Sequence, residues 1–227
     1  MFGKCRVWLL VLVMLIPACA TPPVQPAKKI IVKPRITLYD SIIFEIVSAP
    51  GQGPSPSALT FFIGKLKEYD ICDKVRIRYR SHISGVYSIW NSNRLRHFEK
   101  RNRRFIDRTP GDRHLIFFIC YVPGEYHKKD SGKISKTIAG VQYNPTSFAI
   151  IRKQTKESFE GVVLLHEFGH AIKIARASNR KDAPINPDRP NHCNNSKCTM
   201  FWRASRHRTK LDDECLRELR QLIEDAN

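Results

Sequence analysis

Residues 159–172 read FEGVVLLHEFGHAI, and within them His166, Glu167 and His170 fill the pattern H-E-x-x-H. On a helix, side chains four residues apart stand one above the other. Two imidazoles at that spacing reach a single Zn²⁺ at about 2.0–2.1 Å. Glu167 lies beside them, where a carboxylate can take a proton from a metal-activated water. Val162, Val163, Leu164 and Leu165 precede the first histidine and bury the helix, which holds the ligands rigidly. The apolar spacing predicts a helix over 157–177, and the pattern points to metal-assisted hydrolysis.

Upstream of that helix the chain reads mainly as strands. Residues 36–47 (ITLYDSIIFEIV) are rich in β-branched and aromatic types, and 114–122 (HLIFFICYV) form a continuous apolar run suited to a strand covered on both faces. Residues 73–80 (DKVRIRYR) alternate, with Val75, Ile77 and Tyr79 opposed to Arg76, Arg78 and Arg80. Thr137–Tyr143 and Ser147–Arg152 read as two more strands around an Asn144-Pro145 turn. Between the first strands, 49–57 is a Pro- and Gly-rich loop, and 57–69 is a helix with Ser57 as its N-cap. A last helix starts near Asp212. Strand, helix, strands, helix describes an α+β domain with a mixed sheet.

Two histidines do not hold a catalytic zinc, so a third protein ligand is required. Downstream lies Asn191-His192-Cys193-Asn194-Asn195-Ser196-Lys197-Cys198-Thr199-Met200. This string, after H-E-x-x-H, resembles the archaemetzincins and related matrixin-like bacterial lipoproteins over residues of about 160 to 220. The resemblance implies a zinc endopeptidase with a metzincin-like mixed, twisted sheet, an active-site helix, a Met-turn loop and a C-terminal helix. It makes His192 the third zinc ligand and Met200 the floor beneath the metal, with Phe201 and Trp202 lining the cleft. It also implies that the Thr137–Tyr143 strand pairs with a peptide substrate, Gly140 allowing close approach. The family carries a second zinc on four cysteines; Cys193 and Cys198 match the first two and Cys215 the last, and Asp212 stands where the third would be. An oxidising compartment favours a disulfide through Cys215 instead.

The departures are specific. Metzincins place glycine three residues after the second histidine, and Lys173 stands there; Arg176 occupies the usual place of the third histidine. On a continued helix Lys173 lies about 20° from the two histidines, where an ammonium beside Zn²⁺ is repelled. Asp182 or Asp188 remains open as third ligand in place of His192.

The N-terminal sequence sets the compartment. Lys4 and Arg6 precede an apolar run over 7–16, and Ile16-Pro17-Ala18-Cys19 ends it. The run is too short to span a bilayer comfortably, and reads as a signal peptide over 1–18. Small residues before Cys19 resemble the lipobox of bacterial lipoproteins, with lipid on Cys19 and a Pro-rich tether over 19–35. The remaining 36–227 form a single metalloprotease-like domain. Net charge is +18 with pI ≈ 9.9, and falls to +16 when Lys4 and Arg6 leave, so the basic character belongs to the domain. Residues 94–104 (RLRHFEKRNRR) concentrate it, as a polyanion-binding face or a solvated surface. An exported, membrane-anchored cell-envelope protein is expected, acting on peptide or protein substrates and not on nucleic acid; oligomeric state stays open. Three other readings stand beside it: a catalytically degenerate metal- or polyanion-binding lipoprotein, a SprT-like nucleic-acid-associated protease, and a structural or lipopolysaccharide-binding lipoprotein with merely buried histidines.

Overall fold

The computed structural model describes residues 38–81, 86–105, 114–127, 134–135, 138–175, 191–201, 203 and 205–225. The chain divides into Met1–Pro34 and Arg35–Asn227. The expected signal peptide, Cys19 and nearly all of the tether fall in the first unit, and all three lie outside the described residues. No helix among the described residues is long and apolar enough to cross a membrane.

The domain is built on a five-stranded mixed sheet. Its strands are β1 (Tyr39–Ser48), β2 (Cys72–Arg80), β4 (His114–Val122), β7 (Gly140–Asn144) and β8 (Ser147–Ile151), in the order β2-β1-β4-β8-β7. The first four in that order run parallel, and β7 pairs antiparallel with β8 to form one edge. A small second sheet, β3 (Ile89–Trp90), β5 (Glu125–His127) and β6 (Ile134–Ser135), was not legible in the sequence, because strands of two or three residues carry no periodicity.

Alternation along β1 sends Ile42, Phe44 and Ile46 into one core and Val47 into another. Over the first face lie α1 (Pro56–Glu68) and α3 (Glu160–Ala171). The cap of α1 lies two residues earlier than expected: Ser55 caps it, its hydroxyl accepting from the Ala58 N–H, and Pro56 sits at the first helical position, where its fixed φ fits. Over the second face, α2 (Ser92–Asn102) buries Leu95 and Phe98 against Trp90, Phe118 and Ala149. The basic run is therefore an amphipathic structural helix. Several of its cations have tasks: Arg96 donates to the Tyr143 carbonyl, and Arg103 pairs with buried Glu99 at 2.8 Å.

α3 is held by an aromatic cluster. Phe168, inside the histidine motif but on the opposite face, meets Phe44, Phe62 and Phe117 with ring centroids 5.8, 5.6 and 5.0 Å away. Such edge-to-face contacts fix the helix against the sheet. A 3-10 turn over Glu157–Phe159 leads into α3, and α4 (Asp213–Asp225) closes the domain, burying Cys215, Leu219 and Ile223.

Candidate metal centres

α3 presents its two histidines toward the loop that follows it. His166 is buried, and its Nδ1 lies 2.7 Å from the Thr199 carbonyl. A carbonyl only accepts, so Nδ1 carries the proton and Nε2 keeps its lone pair for a ligand. That Nε2 faces His170 Nε2 at 3.1 Å. Burial pushes the His166 imidazole below its usual value and so favours the neutral ring that a ligand must be, while the Thr199 carbonyl acts against it.

His192 completes the group. Its ring centroid lies 5.3 Å from that of His166 and 4.8 Å from that of His170, and one nitrogen from each ring falls within 4.8 Å of the others. Tetrahedral bonds of about 2.0–2.1 Å place neighbouring nitrogens about 3.4 Å apart. The His166–His170 separation of 3.1 Å is already close to that spacing, so the donor set suits one small divalent ion. Asp182 and Asp188 lie outside the described residues, as do Arg176 and Trp202.

Glu167 stands against the edge strand. A Cβ on Gly140 would lie 2.6 Å from Glu167 Cγ and 2.7 Å from its Oε1, so glycine there makes room for the carboxylate. Burial pushes the Glu167 carboxyl up to about 8, with the Gln142 backbone N–H acting against it. A cation in the neighbouring imidazole group draws that value down. The sequence expected strand Thr137–Tyr143 with Gly140 facing a substrate; the strand is Gly140–Asn144, and the close approach at Gly140 is to Glu167 itself.

The helix does not run to residue 177. α3 ends at Ala171, and Lys173 takes φ +71°. Ile174 N–H donates to the Gly169 carbonyl (2.9 Å) and Lys173 N–H to the His170 carbonyl (3.1 Å), the paired bonds of a Schellman cap. Lys173 thus fills a left-handed position where metzincin-like sequences carry glycine. Leaving the helical path, it also leaves the histidine stripe, so repulsion calculated from a continued wheel does not apply. Its side chain is exposed.

Met200 is wholly buried and packs on Gly169; a Cβ there would collide with the Met200 sulfur. The thioether lies against α3 at Gly169, the residue directly before His170. Phe201 is only half-buried, with the Arg208 guanidinium 4.7 Å over its ring.

Cys193, Cys198, Cys215 and Asp212 form a second group whose donor atoms lie within 4.8 Å of one another. The expected disulfide through Cys215 is not formed: all five cysteines of the described domain are thiols, and Cys215 Sγ stands 3.6 Å from Cys198 Sγ. Cys193 Sγ lies 2.9 Å from Asp212 Oδ2. Backbone N–H groups of Asn195, Met200 and Asp212 point at the Cys193 and Cys198 sulfurs at 3.3–3.4 Å, an arrangement suited to thiolates. Hydrogen bonds from Cys198 and Cys215 push the Cys193 thiol down, while the Cys198 thiol is pushed up to about 12, mainly by Cys193. Three thiols and a carboxylate so arranged can hold a metal ion. The sequence weighed this group against a disulfide; what it lacked was the return of Asp212 and Cys215 to the loop, a contact across 19 residues of chain.

No protein-family model and no curated protein matches the sequence. Among solved structures, the chain is similar to archaemetzincin from Methanopyrus kandleri, with TM-score 0.53 and 13% identity over 82% of this chain and 97% of that one. It is also matched with metalloproteinase-II from Bacteroides fragilis, at TM-score 0.46 and 18% identity over 88% of this chain and 59% of that one. At these identities the first match establishes an archaemetzincin-like fold, and the second adds no weight. The expected α+β, metzincin-like architecture is the observed one.

Proposed function

We propose that this chain is a zinc-dependent endopeptidase, exported and anchored to the cell envelope by lipid on Cys19. The observation that carries the catalytic reading is the convergence of His166, His170 and His192 on one point, with Glu167 alongside. Three protein ligands with an open position are the mark of catalytic rather than structural zinc. Anchoring rests on the N-terminal sequence alone.

Zinc held by the three imidazoles supplies Lewis acidity, acidifying water and polarising a peptide carbonyl. The chain's own groups do the rest. Thr199 fixes the His166 tautomer through its carbonyl, and Met200 supports α3 from below. Glu167 accepts the proton of the attacking water and delivers it to the departing amine nitrogen. β7 is the sheet edge on the Glu167 side, and its outer backbone groups suit an extended peptide adding as a further strand. Burial of Glu167 keeps bulk water from competing for that carboxylate.

The test is metal analysis and peptide cleavage by the purified full chain beside Glu167→Gln. Zinc bound by both, with cleavage lost by about 10²–10⁴-fold in the variant, supports the reading. A wild-type chain that binds zinc and cleaves nothing across a diverse peptide library refutes the enzyme and leaves a metal-binding lipoprotein.

A further inference from the structure

The two donor groups share one loop. His192 directly precedes Cys193; Thr199, whose carbonyl orients His166, directly follows Cys198; and Met200 N–H donates toward the Cys198 sulfur at 3.4 Å. Cys193 N–H also bonds the Met200 carbonyl at 2.9 Å, closing the loop on itself. His192, Thr199 and Met200 are thus each one or two residues from a sulfur of the second group.

Asp212 ties that loop to the body of the domain, with a different task for each oxygen. Oδ1 accepts from the Cys215 N–H at 3.0 Å and caps α4, whose Cys215, Leu219 and Ile223 are buried in the main core. Oδ2 faces Cys193 Sγ at 2.9 Å, inside the thiol group. The Asp212 N–H points at Cys198 Sγ. Next to it, Leu211 N–H donates to the Tyr69 hydroxyl beyond α1. A carboxylate fixed by its capping bond therefore holds the residue beside His192 in register with two helices.

We propose that Asp212 is a positioning residue for the imidazole centre: as the fourth member of the Cys193/Cys198/Cys215 group it lets the filling of that group set how tightly the three imidazoles hold their ion. This rests on the reading of both groups as metal centres. The physical reason is preorganisation. With the thiol group filled, His192 and the Thr199 carbonyl are already placed; with it empty, binding at the imidazoles must also order the loop.

The experiment uses the full chain, stripped of metal and titrated with Co²⁺. Thiolate ligation gives a near-ultraviolet charge-transfer band that an imidazole site lacks, and the imidazole centre is read as the part of the visible d–d absorption that His192→Ala removes. Asp212→Asn keeps a capping oxygen but supplies a weak ligand. It is expected to weaken the thiolate band and lower Co²⁺ affinity at the imidazoles by about 10–100-fold. Asp212→Cys, which restores an anionic ligand, is expected to recover both. His192→Ala is expected to abolish the imidazole bands and keep the thiolate band.

If Asp212→Asn loses the thiolate band while its imidazole centre binds at wild-type affinity, the centres are independent and the proposal falls. It falls equally if Asp212→Asn leaves both signals unchanged. Should that variant fail to fold, an organomercurial titration of wild type decides, since it captures thiolates and spares imidazoles. Loosening of the imidazole-bound ion in step with thiol capture supports the coupling, and full retention overturns it. A wild-type chain showing no imidazole-site bands at all refutes instead the metal centre on which the inference stands.

Discussion

Lys173 occupies a backbone position that glycine tolerates at no steric cost, and the difference is measurable. With φ at +71° its Cβ crowds the following carbonyl, a strain of about 1–2 kcal/mol for an L-residue. Glycine removes that strain but loses more chain entropy on folding, roughly 0.5–1 kcal/mol. The balance leaves glycine about 1 kcal/mol better. Lysine is exposed and carries a charge that glycine lacks, so the clean comparison is Lys173→Gly against Lys173→Ala. Both lose the ammonium; only the alanine keeps the strain. For a domain of this size about 1 kcal/mol moves the melting temperature by about 2–4 °C. Thermal and urea melts of the two variants should separate by that amount, glycine the more stable. Coincident melts, or alanine above glycine, would show that α3 does not end in a left-handed cap, and the argument removing Lys173 from the histidine stripe would fail with it.

Three further outcomes follow from the same geometry. Gly140→Ala drives a methyl into Glu167 and Val163, so cleavage should fall roughly 10²-fold while zinc content by elemental analysis stays at the wild-type value. Phe168→Ala empties the centre of the aromatic cluster and should cost about 3–5 kcal/mol in chemical denaturation; a loss below 1 kcal/mol would place the cluster elsewhere. Metal that binds only the folded chain stabilises it by about 2.7 kcal/mol at a hundredfold excess over Kd. Chelation should therefore lower the melting temperature, and less so in a chain carrying His192→Ala.

Much of this was legible in the sequence because the decisive residues are close together. His166, Glu167 and His170 share one helix, and His192 and Met200 flank a compact loop. The long strands announced themselves by alternation or by continuous apolar runs. What stayed hidden has physical causes. Ile172 and Ile174 prolong the apolar pattern beyond Ala171, so a left-handed lysine could end the helix without a glycine to mark it. In α2 the density of arginine masked Leu95 and Phe98, an apolar pair three residues apart that was enough to dock a helix. At α1, Pro56 was the readable signal for a cap at Ser55, outweighed by the later serine. Asp212 stands beside the cysteines in the sequence, but its two-oxygen role depends on α4 folding back, which spacing does not reveal.

The most direct test of the central claim is a crystal of the full chain grown with zinc and measured at the zinc absorption edge. An anomalous peak about 2.0–2.1 Å from nitrogens of His166, His170 and His192, with Glu167 beside an open coordination position, is the result expected. A peak bound by His166 and His170 with His192 turned away, or no peak at these imidazoles, would contradict it.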